Sequence, residues 1–87
     1  MWKGSIVKTA YEVRTDFDTN QLLQKQLIRY ALSNGCVVSE ITKTGHRFLF
    51  EQFHQAVSFF KDAESLKNWY SFSILKPRKG MFYVSTG

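Results

Sequence analysis

His46 and His54 are the two histidines, the side-chain type best suited to acid–base chemistry, and their neighbours decide what each could do. His46 follows Gly45 and precedes Arg47, with Lys43 close before it. An imidazole in that setting can take a proton from a hydroxyl while a flanking cation holds a phosphate. His54, between Phe53 and Gln55, fits the polar side of a helix or a loop. Cys36 is the single cysteine and is separated from His46 by the length of a strand, so no tetrahedral ligand set assembles and neither a metal nor another cofactor is expected. Glu40 and Lys43 have the spacing Glu-x-x-Lys, which puts them on opposite faces of a strand rather than side by side, as a nuclease Glu-x-Lys pair would require. Glycine-rich phosphate loops and Ser-His-Asp orders are absent from the sequence. The expectation is a binding module, not an enzyme.

Charge points to what would be bound. Lys and Arg number 12 against 7 Asp and Glu, a formal net charge of +5, and every charged residue after Glu64 is basic. Such a chain attracts polyanions, although a charge of about 2 to 8 also serves simply to keep a small domain soluble. Three basic sites stand out: Lys43, His46 and Arg47 at a hairpin tip, Lys25 and Arg29 on a helix face, and Lys76, Arg78 and Lys79 in a turn beside Phe82 and Tyr83. Mobile cations suit backbone phosphates, and nearby aromatic rings suit unpaired bases. The expected partner is therefore nucleic acid, DNA or RNA, or else an acidic protein. Lys79-Gly80-Met-Phe-Tyr83-Val84 is also similar, at Lys79, Gly80, Tyr83 and Val84, to the RNP1 pattern of RNA-recognition motifs.

Aromatic residues make up 16% of the chain, more than one small core readily covers. Rings left outside would form a contact patch, with Trp2, Phe17, Phe59 and Phe72 as candidates; Phe59 and Phe72 fit the core equally well. Trp2, Phe17, Phe82 and Tyr83 are the expected partner contacts. They support an alternative reading, a small interaction or inhibitor protein that acts through aromatic surface and an edge strand, with a homodimer as one form.

These side chains must be positioned by a single α+β domain spanning residues 1–87, an antiparallel sheet with helices on one face. Residues 5–15 alternate Val7, Thr9, Tyr11 and Val13 against Lys8, Glu12 and Arg14, which is strand patterning. A long N-terminal helix is expected over about 18–34, capped within Asp16-Phe-Asp-Thr19 and stopped by Asn34-Gly35, with Leu23, Leu27, Tyr30 and Ala31 inward and Ile28 and Leu32 widening the stripe. Residues 36–42 and 46–51 flank Lys43-Thr-Gly45 as a hairpin. Residues 52–61 fit either a helix with Phe50, Phe53, Val57 and Phe60 inward or a short strand. A second helix is expected over about 62–71, begun by Asp62 and burying Leu66, Trp69 and Tyr70; Met81 to Thr86 reads as a last strand paired with the first.

With a strand at 55–61, the order resembles the double-stranded-RNA-binding fold and the small toxin ribonucleases built on it. In those ribonucleases a hairpin histidine is the general base, a role the resemblance would give to His46. With a helix there, the order resembles a ferredoxin-like arrangement. No stretch approaches the roughly 20 apolar residues of a membrane span and the start lacks a secretion signal, so the expectation is a cytoplasmic protein without membrane contact.

Overall fold

The computed structural model describes residues 5–16 and 20–85. In chain order these are β1 (Ser5–Asp16), α1 (Gln21–Ser33), β2 (Val38–Ile41), β3 (Gly45–Phe50), α2 (Phe53–Ser65) with a 3₁₀ turn at Leu66–Asn68, and β4 (Arg78–Ser85). All strand pairs are antiparallel, in the order β2-β3-β1-β4. The fold is α+β. Its element order and central β1–β3 pair are those of the ferredoxin-like split βαβ arrangement, so the order with a strand at 55–61 does not hold.

The first helix is shorter than expected. It starts at Gln21, not near residue 18, because Asn20 is its cap: the side chain accepts from the N–H groups of Leu22 (3.0 Å) and Leu23 (3.1 Å). Leu23, Leu27 and Ala31 are its buried stripe, while Leu32 is turned out to solvent. Gly35, at φ 84°, takes the left-handed conformation that ends such a helix.

The second helix differs more. It occupies 53–65 instead of 62–71, and Asp62 lies inside it, accepting from the Asn34 side chain at 3.0 Å. Its buried stripe is Ala56, Phe59 and Ala63, rotated from the Phe53, Val57 and Phe60 line. The two alanines explain the rotation: with almost no side chain they let the helix approach the sheet, so that Phe59 reaches Phe48 and Phe50 at ring-centre distances of 4.8 and 5.3 Å. Gln55 accepts from the Gln52 N–H at 3.1 Å and fixes the first turn. Beyond the helix Leu66 is buried and Tyr70 half-buried, but Trp69 is 78% exposed and contributes nothing to the core. Phe59 and Phe72 are both core, which removes them from any contact patch.

The two faces of the sheet are unlike. Tyr11, Val13, Phe48 and Phe50 face the helices, and Val13, Phe48 and Phe50 are fully buried there. Lys8, Ala10, Glu12 and Arg14 of β1, Arg47 and Leu49 of β3, and Arg78, Gly80 and Phe82 of β4 share the other face, which carries no helix. β4 does not run unbroken. Residues 78–85 pair with β1 in one register, whereas Ile74 pairs with Thr15 one residue out of step. Lys76 and Pro77 together oppose Val13, a bulge that suits a proline lacking an N–H.

Candidate nucleic-acid interface

The bulge brings two predicted basic sites together. Because the 73–75 segment pairs with the end of β1, through Leu75 N–H to Arg14 O at 2.9 Å and Asp16 N–H to Ser73 O at 3.1 Å, the Lys76–Arg78 turn lies beside Arg14. Arg14 in turn donates to Thr44 Oγ1 in the hairpin turn at 3.0 Å. The result is a groove lined by Glu12, Arg14, Leu75, Lys76, Pro77 and Arg78, continuing past Arg14 into a second groove lined by Thr15, Asp16, Thr44 and Ser73.

Glu12 organises the cations around it. It is only 4% exposed, a position that costs a carboxylate its hydration unless cations replace it. Arg47 Nη1 donates to one of its oxygens at 3.1 Å and Arg78 Nη2 to the other at 3.2 Å. Arg47 also donates from Nε to Glu40 at 3.0 Å, and its guanidinium sits 5.8 Å from the centre of the Phe82 ring. That ring lies against Gly80, where a Cβ would meet it. Arg78 remains largely exposed, and a guanidinium has five N–H donors, so donors remain for a ligand after the bond to Glu12. Farther along the same face Lys8 pairs with Glu51. Around the groove, Arg14, Arg47, Arg78 and Lys76 exceed the carboxylates of Glu12, Asp16 and Glu40 by one charge.

The other predicted cations lie elsewhere. Lys25 and Arg29 are on the exposed side of α1, which packs on the opposite face of the sheet. Lys43 is exposed in the hairpin turn next to Thr44. Lys79 shares the helix-side register of Tyr11, so it points away from Arg78. Of the predicted aromatic contacts, Phe82 is on the open face; Tyr83, 72% exposed, pairs with Val7 on the helix side, beyond the reach of the helices. Trp2 and Phe17 lie outside the described residues. The RNP1-like stretch falls on the edge strand β4 and splits between faces, Gly80 to the open side and Lys79 and Tyr83 to the other.

His46 requires a correction. It is 6% exposed, not at the surface, because the strand register turns it toward the helices with Thr15. Its ring stacks on Phe48 at 4.1 Å and its Nε2 is 2.9 Å from Ser39 Oγ; Nδ1 is buried without a protein partner among the described residues. Burial pushes its pKa below 6.5, toward the neutral form. The imidazole is therefore a packed ring on the helix side of the sheet, not an exposed group of the hairpin tip. Gly45 allows this arrangement, since a Cβ there would run into the Thr15 carbonyl. Burial also pushes the Cys36 thiol up, keeping it protonated near neutral pH. Among the described residues no three His, Cys, Asp or Glu side chains group as a metal site, and no helix is long and apolar enough to cross a membrane.

Arg14 and Glu12 are the residues that sequence reasoning missed. Both stand on the polar side of the first strand, but the register that sets Glu12 against Arg78 extends the last strand back beyond the expected start at Met81. Comparison with known protein families, curated proteins and solved structures gave no match, so the site is read from its own geometry.

Proposed function

We propose that this chain is a small non-enzymatic module that binds the phosphate backbone of nucleic acid along the groove between the hairpin turn and the Lys76-Pro77 bulge. The observation that carries the reading is the bond from Arg14 to Thr44 beside the Lys76–Arg78 turn, which joins two separate basic segments on the uncovered face of the sheet. Arg14, Lys76 and Arg78 supply phosphate donors, while Arg47 is taken up between Glu12 and Glu40. On this face the interior strands β1 and β3 carry the buried Ala10, Glu12 and Leu49 together with Arg47, and no aromatic ring. Base stacking is therefore confined to the half-buried Phe82, and backbone recognition with weak sequence preference follows.

Fluorescence anisotropy with labelled single-stranded and double-stranded oligonucleotides at several salt concentrations tests this. Binding should weaken steeply with salt, and Arg14→Ala or Arg78→Ala should each reduce both affinity and the salt slope, the slope by about one for each phosphate left without its cation. Absence of binding at about 50 mM salt would end the proposal.

A further inference from the structure

We infer that β4 is a self-pairing edge, and that two copies of this chain join through antiparallel β4–β4 pairing about a two-fold axis at Phe82. β4 is the outer strand of the sheet, so one margin of its backbone carries N–H and C=O groups with no strand beside them among the described residues. Natural edges are blunted by bulges, proline and lysine, and here those devices are confined to one end: Lys76, Pro77, Arg78 and Lys79. From Gly80 onward the edge is unguarded. It carries Met81, 64% exposed, and Tyr83, 72% exposed, beside Val7 of β1 at 48%.

The second copy is the occupant because the unguarded segment is complementary to itself. Residues directly opposite in an antiparallel pair share a face, so a two-fold axis normal to the sheet must pair positions of like parity. With the axis at Phe82, Met81 faces Tyr83 of the second copy and Tyr83 faces its Met81, two thioether–aromatic contacts on the helix side. Gly80 faces Val84, and Lys79 falls opposite position 85, so Lys79 meets no cation across the junction. Moving the axis to Gly80 would put Lys79 opposite Met81 and bring the two Lys79 and two Arg78 side chains near one another. The Phe82 ring leans over Gly80 toward Arg47, leaving the strand margin free of it. The free margin of β1 at residues 5–9 is a poorer junction, because Lys8 is tied across it to Glu51, where the chain turns from β3 into α2. Pairing through β4 extends the four strands to a continuous sheet of twice that number, with both helical layers on one side.

Sedimentation velocity on the full chain, up to about 1 mM protein, is the test. A monomer–dimer equilibrium is expected, and it should strengthen with salt, because each copy carries a net charge of +5. Nucleic-acid binding responds to salt in the opposite sense, so the two associations are separable. Met81→Lys and Tyr83→Lys restore a guard at exposed positions and should each weaken dimerisation at least about tenfold with an unchanged circular-dichroism melt of the monomer. In a mixed-label sample, isotope-filtered NMR should show contacts between the Met81 methyl and the Tyr83 ring of different copies. A monomer at all concentrations, or a dimer indifferent to both lysine variants and lacking those contacts, would overturn the inference.

Discussion

The covered and open faces of this sheet solve opposite problems with the same strands. On the covered face, residues opposite one another across β1 and β3 are Tyr11 and Phe50, Val13 and Phe48, Thr15 and His46, closed over by Phe59 and the alanines of α2. On the open face the corresponding pairs are Glu12 with Leu49 and Arg14 with Arg47. The first is held mainly by the burial of apolar side chains. The second holds a buried carboxylate only because two guanidinium groups replace its water. Substitutions on the covered face should therefore change stability, and those of the charged residues on the open face should change charge and binding with a smaller effect on the fold.

The largest expected effect is on the covered face. Phe48→Ala removes a ring with 0% exposure and leaves a cavity between β3 and α2, so urea unfolding should show a loss of about 3 to 5 kcal/mol. Glu12→Ala comes next, at about 1 to 3 kcal/mol, because Arg47 and Arg78 retain partial access to water when left without the carboxylate. The comparison is sharpened by Glu12→Gln, which keeps the shape and removes the charge: it should destabilise the fold while tightening oligonucleotide binding. Tighter binding from a less stable protein is an outcome that a purely structural ion network does not produce.

A smaller effect, confined to a pH range, belongs to His46. Its folded-state pKa lies below 6.5, so on acidification the unfolded chain takes up the proton first. Its contribution is fully present above pH 6.5 and is lost as the pH falls from there through the folded value. Chemical unfolding at about pH 7.5 and about pH 5.5, above the ordinary carboxylate range, should show this loss in the native protein and its reduction in His46→Gln. The smallest effect is expected at Lys25→Ala and Arg29→Ala on the exposed side of α1, within about 0.5 kcal/mol in stability and without change in binding.

Much of the fold could be read from alternation and helix-stop residues. The first strand, a hairpin at Lys43-Thr44, with Gly45 opening β3 instead of lying in the turn, and a last strand beside the first all followed from local pattern. The position of α2 did not. Phe53, Val57 and Phe60 are larger than Ala56 and Ala63 and dominate any reading by hydrophobicity, yet close approach to a sheet selects the small side chains. His46 was misplaced for a related reason: beside Gly45 and Arg47 it looks like part of a basic turn, whereas strand parity puts it beneath the helices. The cationic groove was partly legible, in Arg47, Lys76 and Arg78. Its connecting residue, Arg14, was hidden because the one-residue slip at Lys76-Pro77 is a property of paired strands, which no single segment reveals.

The convergence of the hairpin turn and the bulge on one polyanion site is tested most directly by a heteronuclear NMR titration with a short single-stranded oligonucleotide at low salt. Amide shifts are predicted to concentrate at residues 12–14, 43–47 and 75–78, with the exposed side of α1 silent. Shifts centred on Lys25 and Arg29, or none at saturating oligonucleotide, would contradict the account.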